Sequence, residues 1–208
     1  MQPDLASSRV VLGPGGGNVP DGESDAPLVR QYQEGDREAL VQIVERHERA
    51  VRRLLLMLCP DRHEVDDLCQ EVFLRLVQRL PKMSPPDSLR PWLYRTGINL
   101  VRDRARRWRV RHWFALTKGV HRARTAGVGA PSDVPAEQQE LVERLRAEIH
   151  ELPAAWREVV VLRDLQGLPP GSVAELLGIP VKVVNDRLYR ARRALALRLR
   201  RGMEQGES

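Results

Sequence analysis

The chain has 208 residues, with 34 Lys and Arg against 28 Asp and Glu, a formal charge of +6 and a pI of about 10.0. That length holds one or two small domains, and the clustered positive charge points to a polyanionic partner. Cys59 and Cys69 do not make a metal set, and the longest apolar run, Leu54–Cys59, is far too short to span a bilayer. With no basic-then-apolar leader at the N-terminus, a cytoplasmic protein with reduced thiols is expected.

Residues 1–27 are rich in Gly, Pro, Ser and Asp and are expected to be disordered. A helical block, residues 28–114, follows. Leu40, Ile43, Val44, His47, Val51, Leu54, Leu55 and Leu58 recur at helical spacing, and Pro60-Asp61 ends that helix. Val65, Leu68, Cys69, Val72, Phe73, Leu76, Val77 and Leu80 make a second three-four repeat, in which Cys69 is a small core residue. Pro81–Pro86 is a loop with three prolines.

A third helix carries Trp92, Leu93, Leu100, Val101, Ala105 and Trp108. Arg90–Arg111 holds eight arginines and one acid, Asp103. Cations, aromatics and Asn99 interleave as they do in proteins that stack bases and track phosphates of single strands. Trp92 at helical spacing is expected to be at least half buried. Arg102, Arg106 and Asn99 fit no core. Glycine inside this helix, Gly97, costs about 1 kcal/mol.

Residues 115–138 lack a periodic face and read as a flexible linker. A second helical domain spans 139–201, and 202–208 is a tail. Within it, Leu152–Leu165 is an apolar helix running into Gly167 and two prolines, followed by a short helix, Gly178-Ile179-Pro180 and a long arginine-rich helix. This is a helix-turn-helix, residues 172–191. Ser172 and Glu175 stand at capping-box spacing, so Ser172 is expected to open the short helix. Gly178 suits a left-handed helix end and Pro180 the start of the next. Val181, Val184, Leu188, Leu195 and Leu199 face inward. The other face carries Lys182, Arg187, Arg190, Arg192, Arg193, Arg198, Arg200 and Arg201 against the single acid Asp186. No run alternates with period two, so the fold class is all-α, with two small domains and two marginal cores.

No catalytic or cofactor motif is present: no phosphate-binding glycine loop, no nucleophile elbow. Asp66, Asp67 and Glu71 cluster, but Asp66 and Asp67 point about 100° apart on a helix, so only Asp67 and Glu71 align. An acidic helix start or a docking surface explains them better than a metal. The expectation is therefore no enzyme, no metal and no cofactor.

The two halves together resemble the sigma factors of bacterial RNA polymerase, in particular the extracytoplasmic-function group. Asp67-Leu68-Cys69-Gln70-Glu71-Val72-Phe73-Leu74 is similar to the polymerase-binding helix of region 2, and Trp92-Leu93-Tyr94-Arg95 with Asn99-Leu100 and Asp103 to the promoter-melting helix. Leu152-Pro153, Arg157–Leu162, Gly167-Leu168, Ala174–Pro180 and Arg187–Arg192 are similar to region 4. The resemblance implies that Asp67, Gln70, Glu71 and Leu74 bind the clamp coiled coil of the β′ subunit. It implies that Asn99 and the loop Lys82–Leu89 take an extruded base of the minus-ten element, while Arg102, Arg106 and Arg107 hold its backbone. Lys182, Asn185, Asp186, Arg187 and Arg190 would face the minus-thirty-five element. Core polymerase (β′ clamp and β flap), promoter DNA and an anti-sigma protein are the implied partners, with no membrane insertion and with nucleoid association in the holoenzyme. Asn185-Asp186 departs from the usual basic-then-serine pair. Asp186 is repelled by phosphate unless it accepts from a cytosine amino group, and Asn185 can read adenine. A stand-alone duplex-binding regulator would need neither the acidic helix nor the aromatic-arginine helix.

Overall fold

A computed structural model describes residues 24–117 and 136–206, with side chains described over 24–107 and 140–200. Of the expected linker, residues 115–117 and 136–138 are helical and residues 118–135 lie outside the described residues, as does most of the expected N-terminal extension, 1–23. Among the described residues the chain is helical and without strands.

The first domain is built from α1 (Ala26–Gln33), α2 (Glu38–Leu58), α3 (His63–Arg79) and α4 (Arg90–Thr117), with a single 3₁₀ turn, Leu80–Lys82, after α3. The apolar repeats read from the sequence become its core. Ile43, Val51 and Leu55 of α2 meet Leu68, Cys69, Val72 and Leu76 of α3, and Leu93 and Leu100 of α4. Trp92 packs against this core, partly buried, as its spacing requires. Gly97 has a positive role here. A Cβ at this position would lie 3.3 Å from Leu55 Cδ2 and 3.7 Å from Val72 Cγ2, so its absence lets α4 approach α2 and α3 closely.

The domain begins earlier than the expected residue 28. Asp25 is buried and ties three segments together. Its Oδ2 meets His47 Nε2 at 3.0 Å and accepts from the Leu89 N–H at 2.7 Å, and its Oδ1 accepts from Arg46 Nη1 at 2.9 Å. Its own N–H donates to the Asp87 carbonyl at 2.9 Å. A polar residue in a Gly/Pro/Ser-rich stretch is ordered because three donors satisfy it.

The second domain holds α5 (Ala136–His150), α6 (Ala154–Val160), α7 (Pro170–Leu177) and α8 (Val181–Gly206). The helix α6 widens into a π turn, Val161–Leu165, where the Gln166 N–H reaches back five residues to the Val161 carbonyl at 2.9 Å. Gly178 takes the left-handed conformation at φ 67°, and the Ile179 N–H caps the Ala174 carbonyl at 3.0 Å, a Schellman end. Ser172 does not open α7. The helix starts at Pro170, two residues earlier, without a side-chain cap. Proline at the first position has no N–H to satisfy and a preset φ, which removes the need for a capping serine. The helix α8 continues to Gly206, past the expected boundary at Arg201.

The two domains do not keep separate cores. Leu54 and Leu58 of α2 and Tyr94 and Ile98 of α4 are buried in one cluster with Ile149, Leu152, Val159, Val160 and Leu162.

Burial pushes the Asp25 carboxyl up, but its bonds with His47, Leu89 and Arg46 outweigh that and hold it below the ordinary carboxylate value. Its folded pKa is thus below the unfolded one, so the stability it supplies is complete above the carboxylate range and is lost as pH falls through it. Asp25→Ala is expected to lower the unfolding free energy by about 3 kcal/mol at neutral pH, as for a broken buried ion pair, and to flatten the acid limb below about pH 4. Urea melts between pH 7 and pH 3 check both.

Candidate polymerase and nucleic-acid interfaces

On α3, Asp67, Gln70, Glu71 and Leu74 are spaced i, i+3, i+4, i+7 and so share one outward face. Asp67 and Gln70 are exposed, and Leu74 is 57% exposed although the other α3 leucines, Leu68 and Leu76, are buried. Glu71 Oε1 accepts from Arg75 Nε at 2.8 Å within the helix. Asp66 turns instead to Arg52 of α2, which separates it from Asp67 and Glu71. What remains on the face is an apolar knob among acids.

On α4, Arg95, Asn99, Arg102 and Arg106 form a second stripe, and all four are exposed. Arg107 is exposed one position off it. Arg106 Nη2 bonds Asp103 Oδ1 at 3.0 Å. The loop between α3 and α4 is pinned at both ends by α1 and the residue before it. Gln33 Nε2 donates to the Leu80 and Met83 carbonyls, each at 2.7 Å, and Asp25 holds Leu89.

The helix-turn-helix is formed by α7 and α8, held by buried Val173, Ala174, Leu176, Val184, Leu188 and Ala191. Lys182, Asn185, Asp186 and Arg190 stand exposed at the start of α8, with Arg187 half-buried. Not every arginine on this helix faces outward, as the sequence suggested. Arg192 forks onto Asp164 with Nε···Oδ2 2.9 Å and Nη2···Oδ1 2.5 Å, and Arg198 lies 3.8 Å from Glu148 and 3.9 Å from Glu151. These two serve the domain's own packing, so the basic face is narrower than eight residues imply.

Residues 43–111 match the family model described as Sigma-70 region 2, and residues 142–195 match Sigma-70, region 4. The RNA polymerase sigma factor NccH of Alcaligenes xylosoxydans xylosoxydans is 32% identical over 180 residues, covering 84% of this chain and 94% of the relative. The chain belongs to the sigma-70 family of RNA polymerase sigma factors. The ECF RNA polymerase sigma factor SigW of Bacillus subtilis is 28% identical over 177 residues, covering 83% of this chain and 95% of the relative. Among solved structures, CnrH in complex with the cytosolic domain of CnrY matches with a TM-score of 0.62 and 28% identity, over 84% of this chain and 96% of that one. The protein is thus a sigma factor of the extracytoplasmic-function group, which binds core RNA polymerase and directs promoter-specific initiation. No helix among its described residues is long and apolar enough to cross a membrane.

The sequence reading missed the seam between region 2 and region 4. Arg102 Nε and Nη2 fork onto Glu158 Oε1 and Oε2 at 2.7 and 2.6 Å. Glu158 is 8% exposed, and its bond raises the Arg102 pKa. Tyr94 Oη donates to Gln166 Oε1 at 2.7 Å, and Arg95 Nη2 to the Glu175 carbonyl at 3.2 Å. On the other side, Arg146 of α5 donates to the Leu56, Cys59 and Pro60 carbonyls at 2.9, 3.0 and 3.1 Å. Arg157 donates to the Leu58 carbonyl at 3.3 Å. Two guanidiniums therefore satisfy the orphan carbonyls at the negative end of α2. No signal in the sequence marked these pairs, because their members lie 56 to 99 positions apart. Burial pushes the Cys59 and Cys69 thiols up to about 11, so both are inert at neutral pH.

His150 sits at this seam. Burial, then the nearby Arg157 and Arg146 charges, lower its pKa to about 4, with the backbone at Leu56 opposing weakly. The folded pKa lies below the unfolded value of 6.5, so the unfolded chain binds more protons between pH 6.5 and pH 4 and stability falls as pH drops through that window. From pH 7 to pH 5 the expected loss is about 2 kcal/mol. His150→Leu should abolish that part of the pH dependence, as read by the difference between urea melts of the two proteins at pH 7 and pH 5.

Proposed function

We propose that the outward α3 face is the polymerase-docking surface of this sigma factor, and that α4 and α8 divide the promoter between them. The observation that carries the reading is Leu74: a leucine left 57% exposed among Asp67, Gln70 and Glu71 on a chain that also bears two basic helices. An apolar knob within a polar ring is the pattern of a protein-binding hot spot. A duplex-binding regulator has no use for it.

Asp67, Gln70, Glu71 and Leu74 engage the β′ clamp coiled coil, and region 4 engages the β flap. Asn99 and the loop Lys82–Leu89, framed by Gln33 and Asp25, receive an extruded minus-ten base. Arg102, Arg106 and Arg107 hold the strand's phosphates. Lys182, Asn185, Asp186, Arg187 and Arg190 face the minus-thirty-five element in the major groove, with base discrimination of about 1–3 kcal/mol per good contact. Opening the duplex needs no ATP, since capture of a flipped base offsets an unstacking cost of a few kcal/mol. The chain is not itself an enzyme and uses no metal or cofactor. It works in the cytoplasm, on the nucleoid when in holoenzyme. An anti-sigma protein controls it, a reading supported by the structural similarity to CnrH, which was solved with the cytosolic domain of CnrY.

Transcription from a genomic fragment library with purified core polymerase tests the whole reading: start sites should appear only when the chain is added. Glu71→Ala is expected to weaken binding to immobilised core about tenfold while leaving duplex binding by region 4 unchanged. Arg190→Ala should do the reverse, lowering upstream promoter occupancy in footprinting about tenfold with core retention intact.

A further inference from the structure

The loop between α3 and α4 is held in place from outside, by the residues that open the first domain. Its tip, Ser84-Pro85-Pro86, carries no regular structure. Two prolines in a row fix their own φ and restrict the residue before each, so the tip is stiff in itself. A stiff tip still swings as a body unless the residues on both sides of it are held. On one side Gln33 Nε2 donates to the Leu80 and Met83 carbonyls, each at 2.7 Å. On the other side Asp25 donates its N–H to the Asp87 carbonyl at 2.9 Å, and its Oδ2 accepts from the Leu89 N–H at 2.7 Å. Asp25 is tied to α2 through Arg46 and His47, and α1 is tied to the core through Leu28 and Val29. The tip therefore inherits the frame of the region 2 core. Both pins stand upstream of residues 43–111, the stretch that matches Sigma-70 region 2.

Asp25 is buried and Gln33 is not. An exposed glutamine at the last residue of α1 has no core to serve, yet its amide reaches a carbonyl at the end of α3, where Leu80 is the capping residue. We propose that Gln33 is a positioning residue for promoter opening. It sets the place of the tip that receives the flipped minus-ten base, and so contributes to the choice of base without touching DNA. The role rests on the reading of Lys82–Leu89 as the pocket for that base. Contacts that discriminate a base must be in place before it arrives. A tip freed on one side samples several places, so the right base loses contacts that a wrong base never made.

The test uses the full chain with core polymerase and a promoter fragment recovered from the genomic library, with each minus-ten base replaced in turn by the other three. The readout is the ratio of run-off transcription between best and worst base at the most selective position. A ratio cancels any change in general affinity for DNA. Gln33→Glu keeps the shape of the side chain and sets a carboxylate against two carbonyls at the negative end of α3. It is expected to lower the ratio about fivefold, with retention on immobilised core unchanged. Gln33→Lys offers an ammonium donor to the same carbonyls and should restore most of the ratio. Val51→Ala truncates the buried region 2 core away from the loop, lowers the urea midpoint and should leave the ratio alone. A ratio unchanged in Gln33→Glu would overturn the role, as would an equal fall in Gln33→Lys or in Val51→Ala. Pro85→Gly with Pro86→Gly loosens the tip itself and leaves both pins in place. If that pair lowers the ratio and Gln33→Glu does not, the loop reads the base and Gln33 does not position it. If neither moves the ratio, the loop takes no base, and the underlying reading falls together with the role.

Discussion

Burial of Leu54, Leu58, Tyr94 and Ile98 against region 4 is the constraint on which the rest of the molecule depends. A domain of region 4's size buries too little apolar surface to be robust alone. It borrows a face from region 2, and the borrowed residues come from α2 and α4, the two helices whose opposite sides build the region 2 core. At about 25 cal/mol per Å² of apolar area, even a modest shared face is comparable with the net stability of a small domain. The seam is therefore an energetic part of the fold, and any motion that separates the domains exposes apolar surface that a partner must cover.

Arginine chemistry gives that apolar seam its geometry. Arg146 and Arg157 cap the carbonyl end of α2, Arg102 takes Glu158, and Arg192 and Arg198 brace α8 against acids of its own domain. A guanidinium satisfies several oxygens at once in a fixed plane, where an ammonium group would not. The composition, with lysine only at positions 82, 118 and 182, suits this. The same fork binds phosphate, so a basic helix in this chain carries two populations of arginine. Sequence alone does not sort them, because the deciding acids are distant in the chain.

The legible part was whatever local periodicity controls. The stripes Ile43–Val51–Leu58 and Leu68–Val72–Leu76 became core because a 3.6-residue repeat has only one way to be buried. Cys69, Trp92 and the left-handed Gly178 followed from local chemistry in the same way. Ser172 misled because a capping-box spacing was weighed without the proline pair before it, and Pro170 at the first helical position needs no cap. Asp25 misled because composition argued for disorder while the three donors that order it come from positions 46, 47 and 89. The Asp25 miss is a set of long-range polar contacts, satisfied only after the helices have packed, whereas the Ser172 miss is local.

Gly97 links the seam to the outward face of α3. By letting α4 settle against Leu55 and Val72, it fixes α4 relative to α3 at van der Waals distance. The outward face of α3 and the stripe of α4 then belong to one rigid body. Asp67, Glu71 and Leu74 thereby keep a fixed position relative to Asn99 and Arg106. Region 4 has no such packing through glycine. It is held to region 2 by an apolar patch and by the arginine contacts of the seam. Region 2 is thus tied together by close backbone approach, and region 4 is joined to it by apolar burial and by the fork of Arg102 on Glu158.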